Sequence, residues 1–167
     1  MLEVAVLTVF PAAVAFAGAM DLFTMTIPNR ISLVLIAAFA ALAPLAGLGI
    51  WDIASHIGAG LLVLAIGVLL FIPGWIGGGD AKLAAGVALW LGFDNLFPYL
   101  LCASFAGGLL AVIFSTFREM PLPRFAVAEA WAVRLHSREC GIPYGVALAA
   151  GALLVYPQTA WFAGLAG

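Results

Sequence analysis

The stretch that organises this sequence is Gly77–Leu83, which reads Gly-Gly-Gly-Asp-Ala-Lys-Leu. Apolar residues precede and follow it almost without interruption, so it is the sharpest polar break in the chain. Three consecutive glycines leave the backbone bare beside the carboxylate of Asp80 and the ammonium of Lys82. Because acidic groups at the depth of a membrane are costly, Asp80 is a candidate functional residue.

The composition places this break in an integral membrane protein. Of the 167 residues, 66% are hydrophobic and 8% are charged, whereas ordinary globular chains are about 45–50% apolar and about 25% charged. The length allows one compact domain, which we take as residues 1–167. Cys102 and Cys140 have neither the pattern of a disulfide framework nor that of a metal site, so we expect two unpaired thiols.

Six apolar segments predict membrane-spanning helices, each of which needs about 20 apolar residues. The fourth segment is short, and we expect Asp94-Asn95 to separate it from the fifth. Asp52 and Asp94 lie in tight turns and are typical of helix caps. The predicted fold class is therefore all-α, a polytopic transmembrane bundle of six helices, although a re-entrant fourth segment would reduce the count to four or five. The predicted spans are Leu2–Met20, Ile31–Ile50, Ile53–Ile72, Ala81–Phe93, Leu96–Phe117 and Ile142–Phe162.

The basic residues indicate the orientation of this bundle. With six spans, Arg30, Lys82 and the four arginines of residues 118–138 all fall on one side. The opposite turns contain Asp52 and Asp94 and no basic residue. The positive-inside rule then predicts that the basic side is cytoplasmic and that both termini lie on the other side.

The polar segment 118–141 permits two interpretations, a surface-lying helix or an irregular cytoplasmic loop. Val127, Trp131 and Leu135 share one helical stripe, but Arg134 and Arg138 lie on the same side, which weakens the amphipathic case. We expect its arginines to determine topology and not to bind nucleic acid.

Asp21 and Asp80 are the acidic residues best placed for chemistry. Asp21 ends the first span and Asp80 begins the fourth, so both lie just inside the predicted cytoplasmic boundary. Two neighbouring carboxylates cannot both ionise cheaply and tend to share a proton. Such a pair suits aspartic proteolysis, in which one carboxylate takes a proton from water and the other protonates the scissile carbonyl. The alternative is structural: Asp80 is an N-cap with Ala81 as the first helical residue, and Asp21 marks the end of a span.

Three segments resemble the type IV prepilin peptidases, a family of membrane-embedded aspartic proteases. Gly77–Asp80 matches their GxGD motif. Asp21, followed by the Ile-Pro-Asn-Arg of residues 27–30, resembles their first catalytic segment. The Ile-Pro-Tyr-Gly-Val-Ala of residues 142–147 is similar to the entry to their final helix. The three matches occur in the family's order and extend over most of the chain.

This resemblance implies that Asp21 and Asp80 are the catalytic aspartates. It further implies that the substrates are prepilins and pseudopilins with a short basic leader and a hydrophobic helix. They would be cut at the cytoplasmic face of a bacterial inner membrane, usually after a glycine. The chain has no room for the cytoplasmic domain of the long bifunctional members and lacks its paired cysteines, so it resembles the short form of Flp-type (tight-adherence) pilus systems. N-methyltransferase activity is accordingly not expected.

The remaining polar residues receive lesser roles. Lys82 either tunes the charge of Asp80 or holds a lipid phosphate, or else it is only a positive-inside marker. Pro28-Asn29 is expected to shape the turn before the second helix. His56 lies away from the proposed site, and neither it nor His136 has partners at metal-ligand spacing, so we expect no metal and no cofactor.

Two other function classes compete with the peptidase. A small transport subunit would use Asp21 and Asp80 to relay protons or bind a cation, but the spans offer few mid-membrane polar groups for such a path. A structural membrane subunit would use the aspartates only as helix caps. Apart from the substrate, the expected partner is membrane lipid, and the sequence does not indicate an oligomeric state.

Overall fold

The computed structural model describes residues 2–163. Residue 1 and residues 164–167, the ends of the predicted single domain, lie outside the described part. Every regular element within residues 2–163 is helical, which confirms the all-α class. The helices are α1 (Leu2–Thr24), α2 (Asn29–Leu45), α3 (Ile50–Phe71), α4 (Gly78–Glu119), α5 (Arg124–Val127), α6 (Ala130–His136), α7 (Tyr144–Val155) and α8 (Ala160–Ala163), with a 3-10 turn at Tyr156–Gln158.

The long helices have the length and composition of membrane spans. α1, α3 and α4 are each long and apolar enough to cross a bilayer. α2 and the stretch Tyr144–Gln158 are shorter apolar helices. The protein is therefore a helical membrane bundle, as its composition predicts.

α4 consists of two helices joined at Gly92. The φ of 67° and ψ of −179° at Gly92 are non-helical and belong to a region that essentially only glycine adopts. The predicted break at Asp94-Asn95 is wrong by two residues, because both of these residues lie inside the second helix, residues 93–119. Polarity suggested Asp94-Asn95, but the change of direction depends on a backbone conformation that only a glycine provides.

This break frees the last carbonyl groups of the first half of α4, residues 78–91. A helix ends with carbonyls that have no partner within the helix, and an unpaired carbonyl inside a bilayer costs several kcal/mol. Side chains from three parts of the chain donate to these carbonyls. The bonds are His56 Nδ1 to Leu89 O (2.8 Å), Trp161 Nε1 to Trp90 O (2.7 Å) and Asn95 Nδ2 to Leu91 O (3.3 Å).

The same end of the bundle contains an aromatic cluster formed by Phe10, Phe39, Trp90, Tyr156 and Trp161. The ring centroids of Phe10 and Tyr156 are 4.3 Å apart, and those of Trp90 and Trp161 are 4.9 Å apart. Trp90 Nε1 donates to the carbonyl of Leu35 at 2.9 Å, and the Tyr156 hydroxyl donates to the carbonyl of Val6 at 2.8 Å. His56 packs beside Phe39 and Trp161 in this region.

The six helical passes alternate in direction between this aromatic end and an opposite end. α1 runs antiparallel to α7, because Val6 contacts Tyr156 just beyond the last residue of α7 and Asp21 contacts Gly145 near its start. The second half of α4 returns to the opposite end, where Gly107 lies against the ring of Tyr144. The passes α1, α2, α3, 78–91, 93–119 and α7 agree with the predicted count of six.

The turn before α3 differs in detail from the prediction. α3 begins at Ile50, three residues earlier than predicted, and its N-cap is Gly49. Asp52 is therefore not the N-cap residue. Its carboxylate instead reaches back and accepts the Gly49 N–H at 3.2 Å, so it still satisfies the helix start.

The polar segment 118–141 is neither one surface helix nor wholly irregular, because it contains the short helices α5 and α6. Arg118 organises it by donating to the carbonyls of Leu135 at 2.9 Å and of Cys140 and Gly141 at 2.8 Å each. Of the stripe residues, Leu135 is buried, whereas Val127 and Trp131 are exposed, so the stripe does not form one buried face. Cys140 and Cys102 are free thiols, as the sequence predicts.

Candidate active site

Asp21 lies in the last turn of α1 and is buried. Its Oδ2 accepts the backbone N–H of Gly145 at 2.7 Å. Gly145 is the second residue of α7, so the Asp21 carboxylate lies at the N-terminus of another helix. Free amide groups and the helix dipole favour negative charge at that position.

Asp80 lies at the start of α4 and is partly buried. The N-cap of α4 is Gly77, which makes Asp80 the third helical residue. The alternative in which Asp80 is the N-cap is therefore wrong. The Asp80 carboxylate folds back over the start of its own helix, because a Cβ added to Gly77 would lie only 2.8 Å from Asp80 Oδ2. Gly77 lacks a side chain at a point where one would collide with the carboxylate.

The structure brings the two aspartates together. Asp21 and Asp80 lie on either side of Ile27, each beside a glycine that packs against it. Ile27 packs between the glycines next to the two aspartates. A Cβ added to Gly79 would lie 3.1 Å from Ile27 Cβ, and a Cβ added to Gly145 would lie 2.8 Å from Ile27 Cδ1. The three sequence segments that carry the family resemblance therefore meet at one place.

A polar bridge lies beside this pair. Pro28 is the N-cap of α2, which confirms that Pro28-Asn29 shapes the turn. Asn29 Oδ1 accepts a hydrogen bond from Lys82 Nζ at 2.9 Å. The bridge ties the start of α2 to α4 two residues after Asp80, so it holds two of the resembling segments in register.

Tyr99 is a neighbour that the sequence analysis missed. It lies in the second half of α4 and is fully buried. Within residues 2–163 its hydroxyl has no hydrogen-bond partner. It is nevertheless within Coulombic range of Asp80 and Tyr144. Buried hydroxyls are normally paired, so this group sets the surroundings of Asp80 apart from the rest of the core.

Sequence reasoning also did not foresee the roles of Gly145 and Ile27. The segment that contains Gly145 stood out by resemblance, but nothing local to it indicates a donor for Asp21. Ile27 looks like an ordinary apolar turn residue. In the part of the chain that the structure describes, His, Cys, Asp and Glu side chains form no group of three that could hold a metal.

The arrangement has the elements of proton-transfer chemistry. Two carboxylates lie on either side of Ile27, Asp21 accepts the Gly145 N–H, and glycines leave backbone accessible beside Asp80. Closely spaced carboxylates can take up and release a proton as a unit. Such a pair can activate water and protonate an oxygen in the same reaction.

Comparison with known proteins identifies the family. Residues 8–112 match the type IV leader peptidase family. This match contains Asp21, Ile27 and Asp80, whereas Gly145 lies beyond it and joins the site through the fold. Searches of curated proteins and of solved structures gave no match. The chain belongs to the type IV leader peptidase family, and its activity is accordingly that of a peptidase.

Proposed function

We propose that this peptidase is an aspartic endopeptidase in which Asp21 and Asp80 are the catalytic pair. The observation that carries the proposal is the convergence of three distant segments on these two carboxylates. Asp21 accepts the N–H of Gly145, the Asp80 carboxylate lies against Gly77, and Ile27 packs against both Gly79 and Gly145. A purely structural pair of helix-terminal aspartates would not require such a convergence.

In the proposed reaction, one carboxylate of the pair is ionised and the other is protonated. The ionised carboxylate takes a proton from water, whose oxygen attacks the carbonyl carbon of the scissile peptide bond. The protonated carboxyl donates its proton to the carbonyl oxygen, which becomes a hydroxyl of the tetrahedral intermediate. The C–N bond then breaks, the leaving nitrogen takes up a proton, and the products are a free carboxyl and a free amine.

The proposed substrates are prepilins and pseudopilins, cut between the leader and the hydrophobic helix at the cytoplasmic face of the bacterial inner membrane. Family membership supports this substrate class in general. The orientation is supported by Lys82 and Arg118, which lie at the end of the bundle that carries the aspartates, and by Asp52 at the aromatic end. The resemblance to the short, Flp-type members is the basis for proposing cleavage without N-methylation.

Co-expression with a candidate Flp prepilin tests this function. Leader removal is followed by gel mobility and by mass spectrometry of the mature N-terminus. Asp21→Asn and Asp80→Asn each remove a proton-transfer group while keeping the side-chain volume. Each variant should lower cleavage at least about 10²-fold, since removing a general acid or base commonly costs about 10²–10⁴-fold.

Asp52→Asn is the matched control, because its carboxylate is exposed at the aromatic end. It should cleave at the wild-type rate and accumulate in the membrane like the two site variants. Normal processing by either Asp21→Asn or Asp80→Asn would refute the paired mechanism. A methylated mature N-terminus would refute the proposed absence of methyltransferase activity.

A further inference from the structure

A deep groove runs along the outside of the bundle between α2, α3 and the first half of α4. Its volume is about 720 Å³, within the range of about 300–1,000 Å³ that is typical of ligand sites. Its walls are almost entirely apolar. We call this feature the lateral groove, and its walls include Ile36, Ala40, Ile57, Leu61, Ala85 and Leu89.

The lateral groove begins at the candidate active site. Asn29 and Lys82, the two residues of the polar bridge, line one end of it. Pro44 and Ile53 line it toward the aromatic end. Lys82 follows Asp80 by two residues on α4, so the carboxylate faces away from the groove, and a chain bound in the groove reaches it around the start of α4.

The length of the groove matches a membrane helix. Asn29 and Pro44 are fifteen residues apart on α2, about 22 Å along the helix axis. This is most of the roughly 30 Å hydrocarbon core. An apolar helix lying in the groove would therefore contact the protein over most of the thickness of the bilayer.

The residues along the groove favour a helix over loose acyl chains. Small residues from all three helices line it and let backbones approach closely in membranes. Gly60 packs against Leu89 and Gly86 against Leu35 within the bundle. Ala40, in contrast, is exposed to an occupant. Ile36 and Leu61 remain exposed on its walls and offer side chains for interdigitation. The small lining residues are Ala40, Ala43, Gly60, Ala85 and Gly86.

We infer that the lateral groove is the docking surface for the hydrophobic helix of the substrate, with the scissile end of that helix at the Asn29–Lys82 bridge. The inference rests on the proposed function, because it needs a substrate with an apolar helix directly after the cleaved bond. The occupant enters with its cleaved end beside Asp80 and extends toward Pro44. The groove thereby selects substrates whose apolar segment is helical and continuous with the cleavage site.

A contact experiment tests this docking surface directly. In a Cys102→Ser, Cys140→Ser background, Ile36→Cys is placed in the groove and Val34→Cys outside it. The two side chains are matched, since each is 50% exposed on α2. Asp80→Asn is added to retain uncut prepilin, and a single cysteine is introduced midway along the substrate's hydrophobic helix. Oxidation should give at least fivefold more enzyme–substrate disulfide with Ile36→Cys than with Val34→Cys.

A filling experiment tests the consequence for cleavage in the otherwise unchanged protein. Ala40 and Ala37 are both exposed on α2, but only Ala40 lines the groove. Ala40→Phe should lower kcat/KM for the membrane-anchored prepilin at least tenfold, mainly through KM. Ala37→Phe should stay within twofold of wild type.

The outcomes separate this inference from the proposed function. Equal cross-linking at residues 34 and 36, or normal kinetics of Ala40→Phe, overturns the docking surface. If wild-type cleavage still depends on both aspartates, the proposed peptidase function stands. Phospholipid that copurifies with wild type and is lost in Ala40→Phe without a change in cleavage shows a lipid site instead. A disulfide between two copies of the Ile36→Cys protein shows an oligomer interface instead. Each of the last two results also overturns the inference.

Discussion

The two ends of the bundle both bury polar groups, but they satisfy them in different ways. At the aromatic end, the ring N–H or O–H groups of His56, Trp90, Tyr156 and Trp161 each have a backbone carbonyl as partner. At the site end, the buried carboxylate of Asp21 has one described partner, the N–H of Gly145. Between the two ends, the hydroxyl of Tyr99 has no partner among residues 2–163. The first arrangement is that of a structural core, and the second leaves polar groups available for reaction.

This difference teaches how a small membrane enzyme divides its polar residues. Unpaired polar groups cost several kcal/mol in hydrocarbon, so each ring donor at the aromatic end is hydrogen-bonded to a backbone carbonyl. The site end retains two carboxylates, of which Asp21 accepts a single backbone N–H in the described contacts. Substitutions at the two ends should therefore have separable effects on stability and on cleavage.

Outside the aspartate pair, the largest expected effect is on cleavage, from Gly145→Ala at the site end. The added Cβ would lie 2.8 Å from Asp21 Oδ2 and 2.8 Å from Ile27 Cδ1, so the carboxylate must move. A displacement of about 1 Å can cost about 10²-fold in rate. We expect a loss of about that size in kcat/KM, measured by prepilin cleavage in detergent.

Gly108→Ala is the control for this change, since no atom lies within 4 Å of its added Cβ. It should cleave like wild type and be slightly more stable, because alanine favours helix over glycine. Equal activity of the two variants would mean that the Asp21–Gly145 contact does not position the carboxylate.

A middle-sized effect on stability is expected from Gly92→Ala at the aromatic end. Its backbone conformation is strained for any residue with a Cβ, at a cost of about 1–3 kcal/mol, and the added atom would lie 3.0 Å from the His56 ring. The free energy of unfolding in detergent should fall by at least that amount. An unchanged unfolding transition would contradict the assigned break in α4.

The smallest expected effect is a difference in the free energy of unfolding between variants of two buried tyrosines. Tyr156→Phe removes a hydrogen bond to Val6 and should cost about 0.6–2 kcal/mol of unfolding free energy. Tyr99→Phe removes a hydroxyl that has no partner in the described part of the chain, so it should be neutral or stabilising. Equal losses for both variants would abolish the contrast between the paired hydroxyl and the unpaired one.

The sequence predicted the helical class and the alternating passes because apolar length and charge segregation are read directly from residue order. It predicted the wrong break in α4, since a polar Asp94-Asn95 pair is conspicuous while the conformation of Gly92 is not. The donors from His56 and Trp161 that satisfy the freed carbonyls come from other segments. Such long-range partners have no local sequence signal.

For the candidate site, too, the sequence indicated local features but not the partners that come from distant segments. Asp21 and Asp80 stood out because carboxylates at membrane depth are costly and because their surroundings resemble a family. The amide of Gly145, the packing of Ile27 and the burial of Tyr99 follow only from how helices assemble. The catalytic roles of Asp21 and Asp80 stay predictions until the variants are measured.

The carbonyl bonds at the end of the first half of α4 have a consequence for Asp80. Asp80 and Trp90 are ten residues apart on one helix, about 15 Å along its axis. If this helix slid along its axis, the bonds from His56 and Trp161 would have to break together. The depth of Asp80 in the membrane is therefore set by anchors at the far end of the bundle, and a substitution there that keeps the protein folded can still shift the position of this carboxylate.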